Sequence, residues 1–271
     1  MATIMQDKVV LTNEFKKVEF TFTIDPNNLC AADILKCFEH DTPPEPEVVN
    51  FLLRAVRPGD HCIDAGANIG FFTLLMAALA GETGHVDAFE PGMNNIPYLK
   101  YNLRESGFKN IRAFELALWS KSGMRFSLFL YGHGGYNCLK PIDEIIPDSQ
   151  DVDTFRLDDM VGVNCSVMKM DIEGAEVEAL LGAKNMFDKA TVKYCICEIN
   201  ENALNRFGHE AQDLFSFFEQ RYYDRFILHF DGRLPSFVSY DWRLKIPRHN
   251  TNMLFSRLEW LAELYPELTD G

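Results

Sequence analysis

A glycine-rich turn between two apolar runs carries the first residues whose types and spacing could do chemistry. Within CIDAGANIGFFTLLMA it reads DAGANIG, from Asp64 to Gly70. A P-loop is excluded, because the turn has no lysine followed by serine or threonine to meet nucleotide phosphates and magnesium. The dinucleotide fingerprint also fails, because Asn68 stands where that motif has the glycine that lets the backbone approach a pyrophosphate. The turn therefore predicts a ligand site that has no phosphate-binding motif.

A carboxylate at the end of the next predicted strand supplies the second half of this site. Glu90 closes the apolar stretch HVDAFEP, and ligands of open parallel sheets bind at such carboxyl ends. An acid placed there can accept hydrogen bonds from both hydroxyls of a ribose. A ribose-binding acid beside a turn that has no phosphate-binding residues fits S-adenosylmethionine, whose positive charge is on a sulfonium group. We predict a cofactor site made of Asp64, Gly66, Asn68, Gly70 and Glu90.

The residues of the turn also have simpler interpretations. Asp64 either binds the ammonium group of the methionyl tail or holds the loop as a helix cap. The glycines either make room for the cofactor or supply the positive φ angles of an ordinary strand-to-helix turn. The presence of Glu90 on the following strand favours the cofactor.

A second group of ionisable residues follows a later apolar run, in the stretch KMDIEGAE. Residues two apart on a strand point the same way, so Lys169, Asp171 and Glu173 are predicted to share one side of a strand end. A positioned carboxylate can accept the proton of a methyl acceptor. We predict that Asp171 is this base or orients the acceptor, with Glu173 as its partner, or the reverse. In the alternative, Lys169 neutralises Asp171 in a buried pair and Glu173 caps the next helix, while Glu176 lies on the solvated face of that helix.

The elements that must position these residues alternate regularly between strand and helix. Strand-like runs end at the glycine-rich turn, at Glu90, near Leu118, at KMDIEGAE and at KYCICEIN, and amphipathic or apolar helical runs lie between them. This alternation predicts a parallel sheet with crossover helices on both faces. We predict a single domain over 1–271, with an N-terminal strand and helix extension over 1–42, a catalytic core over 43–271, and an inserted loop region near 120–165.

Three stretches together resemble one known family. CIDAGANIGFFTLLMA, VDAFEP and VMKMDIEGAEVEALLGA are similar to the motifs of FkbM-type S-adenosylmethionine-dependent methyltransferases. The similarity covers about Gly59 to Asn200. It implies an α/β, Rossmann-like class I methyltransferase sheet, mostly parallel with about seven strands and helices on both faces. It also implies methyl transfer, usually to a hydroxyl of a sugar or natural product.

Further site residues follow from this resemblance and from loop chemistry. In such folds Ala117 and Leu118 would line the adenine pocket. The loop YGHGGYNCLKP has glycine hinges of the kind that close over sites, so His133, Tyr136 and Asn137 are candidate substrate contacts. Glu198 and Asn200 end the fifth strand on the ligand side, and Asn200 is a further candidate substrate contact.

The overall composition limits the partners of the chain. There are 26 basic and 40 acidic residues, which give a formal net charge of −14. A nucleic-acid binder needs a basic footprint, which this chain lacks overall. The seven cysteines contain no C-x-x-C pair, so they favour a reducing cytoplasm over a disulfide framework. Asp171, Glu173 and Asn200 offer oxygen ligands of the kind that magnesium takes, but they do not fix a ligand set, so no metal site is predicted and the need for a divalent metal stays open. We predict no membrane span, and the sequence leaves the oligomeric state open.

The sequence therefore predicts a cytoplasmic O-methyltransferase that uses S-adenosylmethionine and acts on a carbohydrate or natural-product hydroxyl. The acceptor is expected to be a small molecule or a glycan. Two alternatives remain at this stage, an N-methyltransferase of a small molecule or peptide and a non-catalytic nucleoside-binding scaffold.

Overall fold

A computed structural model describes residues 5–13, 16–24, 29–130, 137–139, 148–160, 164–238 and 251–269. Within these ranges the chain forms thirteen strands and nine α-helices. The strands are β1 (Met5–Thr12), β2 (Lys17–Ile24), β3 (His61–Ala65), β4 (His85–Phe89), β5 (Ile111–Phe114), β6 (Ala117–Leu118), β7 (Arg125–Phe129), β8 (Ser149–Phe155), β9 (Cys165–Met170), β10 (Val192–Ile199), β11 (Asp224–Ile227), β12 (Ser236–Phe237) and β13 (Thr251–Ser256). The helices are α1 (Leu29–Glu39), α2 (Pro46–Ala55), α3 (Phe71–Ala80), α4 (Ile96–Ser106), α5 (Glu176–Gly182), α6 (Lys184–Asp188), α7 (Glu201–Arg206), α8 (Ala211–Glu219) and α9 (Leu258–Leu264).

The main sheet has eight strands in the order β12-β11-β13-β10-β9-β3-β4-β5. The run from β10 to β5 is parallel, whereas β13 is antiparallel to both of its neighbours, β10 and β11. The extra strand relative to the predicted seven is β12, which has two residues and lies at the edge. This arrangement confirms the predicted mostly parallel class I methyltransferase sheet.

Alternate residues of the central strands enter two different cores, which places helices on both faces of the sheet. Cys62 of β3 packs in the core that includes α2 and α3, whereas its neighbour Ile63 packs in the core that includes α5 and α8. Helix α3 is apolar nearly all round and almost entirely buried, because the hairpin of the N-terminal extension covers its outer side. Among the described residues, no helix is long and apolar enough to cross a bilayer.

The N-terminal extension packs directly on the core. Strands β1 and β2 form an antiparallel pair, as the alternating sequence predicts. The rings of Phe20 and Phe22 meet the ring of Phe71 in α3 edge to face, at centroid distances of 5.8 and 5.6 Å. Such aromatic pairs add to the energy of simple burial. The extension thereby fixes the start of α3, which follows the glycine-rich turn.

Two predicted strands end earlier than expected. The strand predicted through Glu173 ends at Met170, because Glu173 and Gly174 adopt φ angles of 56° and 102° and turn the chain. The strand predicted from residue 110 to 118 divides into β5 and β6, and β6 leaves the main sheet to pair with β8. The predicted insertion accordingly forms its own three-stranded sheet, in the order β6-β8-β7.

Candidate active site

A cavity of about 380 Å³ opens at the carboxyl ends of β3, β4, β9 and β10. This is the edge of a parallel sheet where ligands bind. The N-terminal extension closes one side of the cavity with Ile34 and Cys37 of α1, and Pro44 and Glu45, which follow the extension and precede α2, continue this side. Apolar walls and a few converging polar groups are typical of a small-molecule site.

The glycine-rich turn forms one wall and depends on Gly66 for its shape. Gly66 has a φ of 86°, and a Cβ atom built on it would lie 1.9 Å from the carbonyl oxygen of Asp171. The turn is tied to β4 because the backbone N–H groups of Gly66 and Ala67 both donate to the Phe89 carbonyl at 2.9 Å. Gly66 is therefore required where the two ligand-side turns touch. Gly70, with a φ of 98°, precedes α3 and does not line the cavity.

The two polar side chains of this turn, buried Asp64 and half-buried Asn68, are only partly satisfied. Thr73 donates from its hydroxyl to Asp64 Oδ2 at 2.5 Å, so Asp64 does hold the start of α3. Within the ranges that the structure describes, Asp64 Oδ1 and Asn68 Oδ1 are buried and have no hydrogen-bond partner. Asn68 lines the cavity, whereas Asp64 lies behind it. Buried acceptors of this kind are ready for donors from a bound ligand.

Glu90 organises the loop after β4 and still faces the cavity. Its Oε2 accepts from the backbone N–H of Asn68 at 2.8 Å, and its Oε1 accepts from the backbone N–H of Gly92 at 2.8 Å and from the Asn95 amide at 3.3 Å. Burial raises the pKa of Glu90 to about 7, against these hydrogen bonds. A carboxylate offers about four acceptor positions, so capacity for a ribose hydroxyl remains.

Lys169 is a buried cation at the end of β9, and it holds Asp171. Its Nζ lies 3.1 Å from Asp171 Oδ2, 3.6 Å from Glu45 Oε2 and 4.5 Å from the centre of the Phe72 ring. Burial alone would lower the pKa of Lys169, but the nearby carboxylates of Asp171, Glu45 and Asp64 outweigh it and raise the pKa. Asp171 is therefore paired with Lys169, as the alternative interpretation predicts. It also lines the cavity, with its side chain 29% exposed.

The turn after β9 brings three carboxyl groups together. Burial, and then the charges of Asp171 and Glu176, raise the pKa of Glu173 to about 8. Arg206 donates to the Glu173 carbonyl at 3.1 Å and lies 3.9 Å from its carboxylate. Glu176 accepts from the backbone N–H groups of Ile172 and Gly174 at 3.0 and 3.2 Å. The interpretation of Glu176 as solvated is wrong, because it is only 2% exposed and caps this turn.

The remaining predicted residues fall into three groups. Ala117 and Leu118 line the cavity, and so does Asn137, whose amide donates to Asn94 Oδ1 at 2.6 Å. Asn200 does not line the cavity, and its side chain instead caps α7 by accepting from the Ala203 N–H at 3.1 Å. His133 and Tyr136 lie outside the described residues.

Two acids of the cavity were not among the predicted site residues. Glu198 lies at the end of β10, and its Oε2 is buried with no hydrogen-bond partner in the described part of the chain. Burial, and then the charges of Asp171 and Glu173, raise its pKa to about 9. Its place at a strand end was a signal available in the sequence. Glu45 gave no such signal, because its contacts at the cavity are with Lys169 and Asn252, which are distant in sequence.

A different group of side chains at the opposite end of the sheet has the spacing of metal ligands. Over the described ranges, His61, His85 and Asp87 form the one group of three such residues whose ligand atoms lie within 4.8 Å of one another. Arg112 donates two hydrogen bonds to Asp87, at 2.7 and 2.8 Å. None of these four residues lines the cavity. The absence of a metal site thus stays a prediction.

Known proteins similar to this chain are methyltransferases. Residues 64–225 match the model of the methyltransferase FkbM domain. Methyltransferase 1 of Beauveria bassiana (strain ARSEF 2860) is 27% identical over 159 residues, which are 49% of this chain and 64% of that protein. This chain therefore spans less than two thirds of the length of that relative.

Solved structures with a similar fold include a methyltransferase and a protein with bound S-adenosyl-L-methionine. The FkbM methyltransferase from Methylobacillus flagellatus KT is 18% identical with a TM-score of 0.46, over 84% of this chain and 52% of that one. Fibrillarin from Aeropyrum pernix, solved with natively bound S-adenosyl-L-methionine, is 10% identical with a TM-score of 0.45, over 94% and 99%. Both identities and TM-scores are low, and the assignment rests on the family match, which includes the glycine-rich turn, Glu90 and the turn after β9. The chain belongs to the FkbM methyltransferase family, as its three sequence motifs predict.

Proposed function

We propose that this protein is an S-adenosylmethionine-dependent methyltransferase that methylates a hydroxyl group of a carbohydrate or natural product. The main support for this proposal is the cavity at the carboxyl ends of the strands, where buried acceptor atoms have no hydrogen-bond donor among the described residues. Membership of the FkbM family supports the same class of reaction. The net charge of −14 favours a small molecule or glycan over a nucleic acid as acceptor.

The residues of the cavity fit the parts of S-adenosylmethionine. Glu90 suits the ribose diol, and the apolar walls at Ala117 and Leu118 suit the adenine. Asn68 Oδ1, a buried acceptor with no partner among the described residues, suits the ammonium of the methionyl tail. When bound, S-adenosylmethionine supplies a methyl group on a sulfonium cation, which an oxygen nucleophile can displace.

Asp171 is the residue best placed to accept the proton of an attacking hydroxyl. It lines the cavity, and Lys169 stabilises its negative charge at 3.1 Å. Glu173 has a pKa of about 8 and is protonated at neutral pH, so it suits the role of hydrogen-bond donor to the acceptor. This divides the two predicted catalytic acids into a base, Asp171, and a positioning partner, Glu173.

We place the reaction in the cytoplasm, since Cys62, Cys165, Cys195 and Cys197 are buried thiols that form no disulfide. Free thiols of this kind persist in a reducing compartment.

The proposal is tested by following labelled methyl groups from S-adenosylmethionine into pools of glycans, hydroxylated natural products and amines. We expect an alkali-stable methyl ether on a hydroxylated acceptor. Asp171→Asn should remove this transfer, while Asp231→Asn, at an exposed turn 47% open to solvent, should not. A labelled methylamine would favour N-methylation instead, and binding of S-adenosylmethionine without transfer to any pool would favour a scaffold.

A further inference from the structure

The charged lining of the cavity is strongly one-sided. Among the described residues that line it, five carry a carboxyl group and one carries a basic group, Lys169. The five acids are Glu45, Glu90, Asp171, Glu173 and Glu198. Buried carboxylates are costly unless a cation or several hydrogen bonds compensate them. The way in which each acid is compensated therefore indicates which charge a ligand must bring.

Four of the five acids already have hydrogen-bond donors or a cation close to them within the protein. Glu90 accepts two backbone hydrogen bonds and one from an amide. Lys169 lies within salt-bridge distance of both Asp171 and Glu45. Glu173 has Arg206 at 3.9 Å. None of these acids needs a further cation.

Glu198 is the exception. It opposes Asn252 of β13 in the sheet register, but the Asn252 amide donates to Glu45 and Glu47 at 3.0 and 3.1 Å. Glu198 Oε2 is buried, faces no hydrogen-bond partner in the part of the chain that the structure describes, and belongs to a residue of the cavity wall. Burial and the charges of Asp171, Glu173 and Glu176 outweigh the charge of Lys169, which favours the ionised form of Glu198. Glu198 is thus a carboxyl group at the ligand end of the sheet that no hydrogen bond or salt bridge of the described residues compensates.

We propose that Glu198 binds a protonated amino group of the methyl acceptor, so that the enzyme selects acceptors that carry an amine. Amino sugars and amine-bearing natural products are the class of substrate that fits. This inference rests on the proposed function and names the acceptor for the same site. The carboxyl group of Glu198 loses its proton to solvent when the ammonium binds, and an ion pair replaces the neutral acid. An anionic acceptor brings no positive charge for Glu198, and the carboxylate of Asp171 in the same cavity repels it.

The pKa of Glu198, raised to about 9, makes this exchange measurable. At neutral pH the empty site holds a neutral acid, and binding of an ammonium group is expected to release about one proton to the buffer. A neutral sugar would release none.

The test uses the protein saturated with S-adenosylhomocysteine and three probes with the same ring but different charge. These are glucosamine, glucose and glucuronic acid. Calorimetry in two buffers of different ionisation enthalpy gives both the affinity and the protons released. We expect glucosamine to bind at least about tenfold more tightly than glucose, with proton release, and glucuronic acid to bind more weakly than glucose.

Two variants separate Glu198 from the general charge of the cavity. Glu198→Gln should reduce the affinity for glucosamine to that for glucose and abolish the proton release. Glu201→Gln, at the start of α7 and outside the cavity lining, is the matched control and should change neither. Glu201→Gln should keep the thermal midpoint of the wild type, and Glu198→Gln should not lower it, because the raised pKa of Glu198 opposes folding at neutral pH. Both variants should keep the affinity for S-adenosylmethionine.

Several results would overturn the proposal. Equal affinity for the three probes, no detectable glucosamine binding, or glucosamine binding that survives Glu198→Gln would each do so. A loss of S-adenosylmethionine affinity in Glu198→Gln, with S-adenosylhomocysteine unaffected, would assign Glu198 to the sulfonium instead. Failure of the proposed function is a separate result, because the wild type would then bind neither S-adenosylmethionine nor its product.

Discussion

The two ends of the parallel sheet both carry buried carboxyl groups, and the protein treats them in opposite ways. At the amino end, Asp87 has no exposed surface and is bonded by Arg112, His61 and His85. Although burial opposes it, these hydrogen bonds lower the pKa of Asp87 to about 2. At the carboxyl end, burial raises the pKa of Glu90 to about 7 and, together with neighbouring carboxylates, that of Glu198 to about 9.

The strand register explains why the amino end is satisfied. His85 and Asp87 lie two apart on β4 and share a face of the sheet. His61 of β3 pairs with His85, and Arg112 of β5 pairs with Asp87. Three neighbouring strands thus place a complete set of partners around one carboxylate. At the carboxyl end, Glu198 lies near the end of β10 and the other cavity acids lie in turns and loops, so these acids converge on an opening.

The contrast separates a structural carboxylate from a functional one. Asp87 is compensated within the protein and therefore stabilises the fold. The acids of the cavity are kept together at a cost in stability, as in sites where perturbed pKa values serve ligand binding and catalysis. Substitutions at the two ends should therefore change different properties of the protein.

The largest effect is expected on turnover from Asp171→Asn at the carboxyl end. Removing the proton acceptor should lower kcat by about 10²–10⁴-fold, while the affinity for S-adenosylmethionine stays within about threefold. Initial rates of methyl transfer at saturating cofactor measure this. A variant that keeps more than about a tenth of the wild-type rate would remove Asp171 from the role of base.

Asp87→Asn at the amino end should lower stability without lowering catalysis. Removing the charge leaves Arg112 and the two histidines without their partner, and the free energy of unfolding should fall by about 3 kcal/mol. Urea unfolding measures the loss. The rate per folded molecule should match the wild type, and a large fall in that rate would show that the two ends are not separate.

Glu90→Gln should weaken cofactor binding by an intermediate amount. The amide can accept on one side only, so a hydrogen bond to the ribose and one to the loop are impaired, at a cost of about 1–2 kcal/mol. Calorimetric titration with S-adenosylmethionine should give about a tenfold lower affinity. Glu82→Gln, in the exposed turn after α3, is the matched control. Equal affinity in the two variants would argue against Glu90 as the ribose acid.

The smallest effect is expected from a change of one pH unit. The sign of the resulting change in the free energy of unfolding should differ between the two ends. Since the folded pKa of Asp87 is about 2 and its ordinary value is 3.8, its contribution to stability is present above pH 3.8 and is lost as pH falls toward 2. Since the folded pKa of Glu198 is about 9 and its ordinary value is 4.5, the unfolded chain ionises first, and stability falls as pH rises between those values.

The pH dependence of the free energy of unfolding separates these two contributions. In the ligand-free protein, Glu198→Gln should flatten the decline on the alkaline side by on the order of 1 kcal/mol per pH unit. Asp87→Asn should flatten only the decline on the acid side. An alkaline slope that is unchanged in Glu198→Gln would contradict the uncompensated state of this acid.

The order of elements and one half of the site could be predicted from the sequence. Gly66, Asn68, Glu90 and Asp171 follow directly from motifs at strand ends, and the alternation of strands and helices predicts the parallel sheet. The hydrophobic pattern predicts the elements of the sheet, because strands that are buried on both faces are apolar at successive positions.

The other half depends on long-range packing that the sequence pattern does not encode. Glu45, directly before α2, meets Lys169 of β9 at the cavity, and Asn252 contacts it from more than two hundred residues away. The prediction of a solvated Glu176 is wrong because its position in the helix is only one constraint. The backbone N–H groups of Ile172 and Gly174, in the turn before the helix, need a buried acceptor, and Glu176 supplies it. The strand also ends sooner than predicted, since Glu173 adopts a positive φ that its residue type does not suggest.

The central claim is that the carboxyl end of the sheet is a binding site for S-adenosylmethionine. Its most direct test is a calorimetric titration of the purified chain with S-adenosylmethionine, repeated with S-adenosylhomocysteine present as competitor. We predict a single saturable binding event with about one ligand per chain, which the competitor abolishes. No binding, or binding that the competitor leaves unchanged, would contradict the account.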